Sequence, residues 1–348
     1  MLDDVAMASE LVAWMPDVDD GPGGAAIVRP RWLRVAEGLA PIGARLFARR
    51  HFRGGVDRVA CRAVHGAAAR GSLYAFAPPP HFARVARGRG RRPVDVYRGR
   101  APLVNGLASS GELSLHHHRG AGARGALVVV SRGAGLLADL VARRLAGALV
   151  AVGFDVVIPG VAAHADGRPA NDWAHTVGGA LVTIVRRVHE GVAVEAWARQ
   201  LGYRLVIATG VGIGGTVSAL LAVTTSRFDA CVPVLAGAHP GRLWLPPRGL
   251  ARAADHDALA RDDVRHARTL LRLFDPVAPG RLPLPRRRDG CAVVGLRYDH
   301  QVPPADVQAL ADHWRVRSVW LDRSHVEVPR CGRALASIVA HAAAAVGR

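Results

Sequence analysis

The sequence predicts an α/β fold in which a mostly parallel central sheet is covered by helices on both faces. From residue 126 to the end of the chain, short apolar runs of strand length alternate with longer segments of helical periodicity. The strand runs are apolar throughout, which is typical of strands buried on both faces. The chain has 348 residues, half of them apolar, so it can bury a large core.

The predicted elements follow one another in a regular order. The predicted strands are 126–130, 154–159, 205–207, 228–235, 291–296 and 316–321. The predicted helices are 136–152, 171–200, 219–223, 255–274, 303–314 and 331–346. Residues 236–288 interrupt the alternation with clustered prolines, and we expect an insertion that forms a lid over the carboxyl ends of the strands.

Residues 1–120 are predicted to form an N-terminal extension that packs on a domain of residues 121–348. Within the extension, residues 29–52 have apolar side chains at helical spacing with arginines between them, which predicts an amphipathic helix lying on the domain. An anionic surface is the alternative site for this helix. Residues 112–119 alternate as a strand does.

Three adjacent histidines in that strand raise the question of a metal site. Side chains alternate between the two faces of a strand, so only His116 and His118 converge, and no nearby residue supplies a third ligand. We therefore expect no metal and no cofactor.

The chain is strongly basic, with 46 basic against 28 acidic residues and a formal charge of +18. Every basic residue other than histidine is arginine, which a codon bias toward Arg, Ala, Gly, Pro and Val explains. Residues 84–100 are the best candidate for binding nucleic acid or an anionic membrane, through Arg84, Arg87, Arg89, Arg91 and Arg92. Tyr97 is the one aromatic residue there that could stack on a base, so we expect a solvated basic loop.

Cysteine usage and the first residues predict a cytoplasmic protein. The four cysteines are far apart and form no Cys-x-x-Cys pair, which fits a reducing compartment. The first residues are acidic where a signal peptide would be basic. The uncharged run 205–225 is long enough to span a membrane, but its central glycines favour a buried strand, turn and helix.

That run contains the motif on which the functional interpretation depends, Gly210-Val-Gly-Ile-Gly-Gly215. A strand, a sharp turn of the form Gly-x-X-x-Gly-Gly and an apolar helix are the layout of the nucleophile elbow of α/β-hydrolases, in which X is normally Ser. Here X is Gly212. The sequence therefore predicts the scaffold for acyl transfer without the attacking hydroxyl.

Two further residues have the chain order of a hydrolase triad, which runs nucleophile, acid, histidine. Asp299 follows the predicted strand 291–296, and His325 follows the predicted strand 316–321. In such a triad the carboxylate orients the imidazole, and the imidazole accepts the proton of the nucleophile.

From residue 126 onward the chain resembles the α/β-hydrolase superfamily, and most closely its abhydrolase-domain-18-like branch. The resemblance is carried by Gly178-Gly-Ala-Leu-Val182, the elbow, Arg297-Tyr-Asp-His-Gln-Val-Pro303 and Arg323-Ser-His-Val326. It implies an α/β-hydrolase fold of the serine esterase or lipase type, with Asp299 and His325 at the acid and base positions and Gly212 at the nucleophile position. It also implies an oxyanion hole made by the backbone N–H of Ile213 and one from the turn 131–135, at Arg132 or Gly133. That turn departs from the His-Gly pattern of lipases.

Glycine at position 212 predicts a degenerate hydrolase that keeps a pocket for an ester, acyl or similar small ligand. Glycine adopts the strained elbow conformation freely, so the fold survives, but no acyl-enzyme can form. Two enzymatic alternatives remain open: Ser131 attacks in place of the missing serine, or the Asp299–His325 pair activates water.

A dinucleotide-binding fold is the remaining alternative, because Gly210, Gly212 and Gly215 also satisfy G-x-G-x-x-G. That fold needs an acidic residue at the end of the next strand, which has none here. Asp229 is at the start of that strand, and Arg242 is the residue that could bind a 2′-phosphate.

Overall fold

The computed structural model describes residues 52–87, 93–102, 104, 111–120, 125–133, 136–160, 175–244, 258–259, 262, 267–299 and 301–347. The helices are α1 (Arg58–Ala69), α2 (Leu136–Ala151), α3 (Val177–Gln200), α4 (Ile213–Thr224), α5 (Ala267–Phe274), α6 (Pro304–Trp314) and α7 (Gly332–Val346). The strands are β1 (Ala83–Ala86), β2 (Val94–Arg100), β3 (Glu112–His118), β4 (Ala126–Ser131), β5 (Asp155–Pro159), β6 (Leu205–Val211), β7 (Ala230–Val234), β8 (Val293–Leu296) and β9 (Ser318–Leu321).

The strands form a single mostly parallel sheet, as the sequence predicts. In the described residues the sheet has 9 strands in the order β1-β2-β3-β5-β4-β6-β7-β8-β9. Strands β4 to β9 pair in parallel, whereas β1, β2 and β3 join the β5 edge through antiparallel pairings. The middle strands β4 and β7 are buried along their whole length, which explains why they are apolar without alternation.

Helices cover both faces of this sheet. Helix α2 packs with α7, while α1 and α4 both pack against α3. Helix α3 is buried over most of its 24 residues because it lies between the sheet and these neighbours. This burial also explains the weak amphipathic pattern of α3 in the sequence, since a helix covered on most sides needs no polar face.

Several predicted boundaries shift by one to three residues, and local backbone geometry explains two of them. The predicted strand 228–235 ends at Val234 because Leu235 has a positive φ of 54°. The predicted strand 316–321 begins only at Ser318 because Arg315, with φ 56°, ends α6 and the amide of Val316 still donates to the carbonyl of Ala311. The left-handed φ of Leu235 and of Arg315 cannot be part of a strand, so each residue marks a strand or helix boundary.

The described part of the predicted N-terminal extension contributes α1 and strands β1 to β3. Strand β3 coincides with the strand predicted at 112–119. The helix predicted at 29–52 lies outside the described residues except for Phe52, whose ring is fully buried 4.7 Å from that of Trp244. The division of the chain at residue 120 stays a prediction.

The interruption predicted at 236–288 is described only in part. Its described residues include a 3₁₀ turn at Pro240–Trp244 and helix α5. Trp244 and Phe274 are both buried against Phe52, so these parts pack into the core. The lid over the strand ends stays a prediction. Among the described helices, none has both the length and the apolar character that crossing a membrane requires.

Candidate functional site

The site is built around a sharp turn between β6 and α4, with Gly212 as its single linking residue. Gly212 has φ 61° and ψ −118°, a conformation that L-amino acids with side chains rarely adopt. Its N–H donates to the carbonyl of Val234 on β7 at 2.9 Å, and its carbonyl accepts from the amide of Thr216 at 2.9 Å. The strand, turn and helix predicted from 205 to 223 are therefore present, and they are held on both sides of the turn.

The other glycines of the motif are required because backbone atoms approach them too closely for a side chain. A Cβ on Gly210 would lie 2.5 Å from the carbonyl oxygen of Gly214. A Cβ on Gly214 would overlap the carbonyl oxygen of Ser131 on β4, and one on Gly215 would overlap that of Val234. These glycines let the first turn of α4 lie directly against the ends of two neighbouring strands.

Gly212 differs from its neighbours in this respect. No heavy atom of the described residues lies within 4 Å of the position that a Cβ on Gly212 would take. A side chain at the turn would therefore project into open space, as a nucleophile must. The positive φ makes any such side chain strained, but no atom of the described residues blocks it.

Asp299 and His325 are directly hydrogen-bonded to each other. Asp299 follows β8, and its Oδ2 lies 2.8 Å from Nδ1 of His325. Its Oδ1 accepts from the backbone amides of Gln301 and Val302 at 2.7 and 2.9 Å. The carboxylate is thus fully buried and held by three partners, while the imidazole is about one-third exposed (32%). In this geometry Nδ1 is committed to the carboxylate and Nε2 is the nitrogen left to face a ligand.

A capping box fixes the backbone at His325, which begins the 3₁₀ turn His325–Arg330 after β9. The carboxylate of Glu327 accepts from both the backbone N–H and the hydroxyl of Ser324, each at 3.0 Å. Both residues are buried. The Ser-x-x-Glu signature of this box is visible in the sequence and marks a local device that orients the histidine.

Gly212, Asp299 and His325 share one edge of the sheet. Each follows the carboxyl end of a strand, and β6, β7, β8 and β9 are consecutive and parallel. Parallel strands place their carboxyl ends at the same edge, where ligands of open α/β sheets bind.

The turn after β4 borders the elbow. A Cβ on Gly133 would lie 3.1 Å from the carbonyl oxygen of Val211, the residue before Gly212. Ile213 is the first residue of α4, so its amide is among those without a partner inside the helix. The Arg132 side chain pairs with Asp139 of α2.

The carbonyls of Arg132 and Gly133 both accept from Arg187, a buried residue of α3 that the sequence did not single out. It lies in the middle of a long helix and belongs to no motif. Only the tertiary structure brings it under the turn.

None of the nearby hydroxyls that the sequence offers lies in an exposed turn. Ser131 was expected in the turn but is the last residue of β4, and it is buried at 6% exposure because the sheet continues through it. The hydroxyls of Thr209, Thr216 and Ser218 are also buried, and each donates to a backbone carbonyl of β7 or of the elbow. Because each of these three hydroxyl protons is donated to a backbone carbonyl, the hydroxyls have a structural role.

The residues of the other functional hypotheses are mostly engaged in ion pairs. Asp229 accepts from Arg199 and from the amide of Val206, near the amino ends of the strands. Arg242 pairs with Asp306 at 2.9 Å. Within the arginine-rich residues 84–100, Arg84 lies on the exposed edge strand β1, with its Nη1 3.9 Å from Oδ2 of Asp95.

Arg87 follows that edge strand and is exposed, while Arg89, Arg91 and Arg92 lie outside the described residues. Within the described part of the chain, no three His, Cys, Asp or Glu side chains lie close enough together to hold a metal ion.

Comparison with known proteins identifies the fold. No protein-family model matches the chain, and no curated protein matches its sequence. An acetyl xylan esterase from Paenibacillus sp. R4 superposes with a TM-score of 0.56 at 11% identity, over 86% of this chain and 99% of the esterase. An acetyl xylan esterase from Thermoanaerobacterium sp. has a TM-score of 0.49 at 12% identity, over 82% of this chain and 92% of the other. A serine hydrolase homologue from Coxiella burnetii has a TM-score of 0.43 at 16% identity, over 67% and 93%.

At 11% identity the likeness to the Paenibacillus esterase is one of overall fold, and it fits the mostly parallel sheet described above. The fold class predicted from the sequence is confirmed: this chain has the α/β-hydrolase fold.

Proposed function

We propose that this protein is a degenerate serine hydrolase that binds an ester, acyl or similar small ligand at the edge formed by Gly212, Asp299 and His325. The observation that carries the proposal is the elbow itself. Gly212 keeps a φ and ψ suited to presenting a nucleophile, with open space where its side chain would project, although a glycine could adopt many other conformations.

The acid and base support the same proposal. The Asp299–His325 hydrogen bond of 2.8 Å holds the imidazole in one orientation, as the carboxylate of a catalytic triad does. We assign Asp299 and His325 to the acid and base positions and Gly212 to the nucleophile position. Without a hydroxyl at 212 the pair has no serine to activate, so acyl-enzyme chemistry is lost while binding is retained.

The likeness of Arg297–Pro303 and Arg323–Val326 to the abhydrolase-domain-18-like branch fits this proposal. A reducing, cytoplasmic location is proposed with it, on the basis of four free cysteines.

The proposal is tested by restoring the serine. We expect Gly212→Ser to gain hydrolysis of p-nitrophenyl acetate and covalent reaction with a fluorophosphonate, at rates at least about 10²-fold above those of the native chain. Gly212→Ala is the matched control, because it introduces the same backbone strain without a hydroxyl. Gly212→Ser combined with His325→Ala should lose the gain. A Gly212→Ser protein that folds but remains inert contradicts the proposal.

A second function is favoured by the open space beside Gly212 and the partly exposed imidazole of His325. A water molecule there could be deprotonated by His325 and attack an ester directly. Native turnover of short-chain aryl esters that disappears in His325→Ala, without fluorophosphonate labelling, would favour this function over the inactive one. The buried position of Ser131 argues against its use as a substitute nucleophile.

A further inference from the structure

The buried side chain of Arg187 binds the turn that follows β4, beside the elbow. Its side chain extends from α3, is only 8% exposed, and donates from Nη1 to the carbonyl of Arg132 at 2.8 Å and to that of Gly133 at 3.1 Å. A single guanidinium nitrogen thus binds the carbonyl oxygens of two consecutive residues in the segment that follows β4. Hydrogen bonds from a charged donor are stronger than neutral ones and fix their acceptors more firmly.

Peptide geometry determines what this does to the amides. In a trans peptide the C=O and N–H bonds point in opposite directions. Because the carbonyl of Arg132 faces Arg187, the N–H of Gly133, which belongs to the same peptide group, is directed away from Arg187. Gly133 itself lies against the residue before the elbow, with Val211 O 3.1 Å from where its Cβ would be. Gly133 therefore lies beside the elbow, with its N–H on the side of the peptide that faces away from Arg187.

The electrostatics reinforce this orientation. Burial lowers the pKa of Arg187 to about 10, with Glu190 acting in the opposite direction, so the guanidinium remains charged at neutral pH. The charge attracts the carbonyl oxygens of Arg132 and Gly133, and the N–H of Gly133, at the positive end of the Arg132–Gly133 peptide dipole, faces away from it. If the turn flipped, the charge would face N–H groups, which is unfavourable in a buried site.

We propose that Arg187 is a positioning residue, which holds the Gly133 amide in place to stabilise, together with the Ile213 amide, the negative oxygen of a tetrahedral acyl-transfer intermediate or of an anion that resembles it. The inference rests on the proposed function, because it assigns the second donor of the same site. In this proposal a buried residue of α3 orients the donor amide, and no sequence motif within the turn is needed to do so.

The first test uses the Gly212→Ser background, in which the intermediate can form. We expect Arg187→Met to lower kcat for p-nitrophenyl acetate by about 10²-fold or more, the effect of losing one oxyanion donor, while KM changes less than about threefold. Arg187→Lys keeps the charge but places its one donor nitrogen on a shorter side chain, so it should recover part of kcat. It also serves as the assay variant if the Met protein does not fold.

The matched control is Arg186→Met. Arg186 is the adjacent residue of α3, is equally buried, and pairs with Glu190 at 3.5 Å. Its loss disturbs the helix without releasing the turn, so kcat should change less than about threefold. Equal losses of kcat in the Arg186 and Arg187 variants, or an unchanged kcat in Arg187→Met and Arg187→Lys, would overturn the inference.

The second test needs no nucleophile and uses the native chain. Butylphosphonate carries tetrahedral anionic oxygens, and a preformed pair of amides should bind it measurably by calorimetry. We expect the Kd to rise at least tenfold in Arg187→Met and to stay within about twofold in Arg186→Met. No binding by the native chain, or equal binding by the Arg187 variant, counts against the inference. The two claims can also fail separately. If Gly212→Ser folds but hydrolyses no ester, the proposed function fails. If Arg187→Met, added to that inert protein, still weakens butylphosphonate binding at least tenfold, the positioning role of Arg187 stands.

Discussion

Replacing Gly212 by alanine should destabilise the protein through backbone conformation alone. The φ of 61° and ψ of −118° at this residue cost a residue with a side chain about 1–3 kcal/mol. An alanine also reduces the freedom of the unfolded chain, which offsets about 0.4–1 kcal/mol of that cost. No steric term is added, because the Cβ would have no described heavy atom within 4 Å. The net loss in the free energy of unfolding is therefore between about 0 and about 2.6 kcal/mol.

Urea unfolding followed by circular dichroism measures this loss, and two other glycines serve as references. Gly71 also has a positive φ, of 68°, and open space around its Cβ among the described residues, so Gly71→Ala should cost a similar or smaller amount. Gly214→Ala should cost more than either, because its Cβ would overlap the Ser131 carbonyl and push α4 away from β4. A Gly212→Ala protein that is more stable than the native chain, or as unstable as Gly214→Ala, would refute this account of the elbow.

Three further predictions concern the acid, the histidine loop and pH. Asp299→Leu should cost about 2–4 kcal/mol of unfolding free energy, because it leaves the buried amide of Val302 and the partly buried amide of Gln301 without an acceptor, and Asp299→Asn should cost less. Glu327→Ala should cost about 1 kcal/mol by removing the capping box at Ser324. Burial, with repulsion from neighbouring His and Arg side chains, lowers the pKa of His118 to about 4. The unfolded state then binds the proton more tightly, so the urea midpoint should fall as pH drops from about 6.5 to about 4, and less so in His118→Gln.

The measurements that check these three predictions are urea titrations. For Asp299 a loss in the Leu variant no larger than in the Asn variant would contradict the reasoning. For Glu327, an unchanged urea midpoint in Glu327→Ala would contradict the role given to the capping box. For His118 the deciding quantity is the fall in the urea midpoint between pH 6.5 and pH 4. A fall as large in His118→Gln as in the native chain would contradict the reasoning.

The regular half of the molecule was predictable because its signals are local. The continuous apolar runs that became β4 and β7 and the glycine cluster at the elbow predict their own structure, since a doubly buried strand and a tight turn impose strict residue requirements. The chain order of Gly212, Asp299 and His325 was likewise enough to predict that they follow strands of one parallel sheet. The Ser-x-x-Glu capping box was equally visible in the sequence, although it was not singled out as a signal.

The tertiary structure decided what depends on long-range contacts. It made strands β1 to β3 part of the same sheet, moved Ser131 from an expected turn into a buried strand end, and placed Arg187 of α3 under the turn after β4. No periodicity encodes these contacts, because a lone arginine in a buried helix looks the same whether it binds a carboxylate, a ligand or two carbonyls. The sequence thus determined which backbone shapes form and that the turn between β6 and α4 carries a glycine at position 212. Packing alone determined which side chains hold those shapes together, because partners from distant segments meet only in the folded chain.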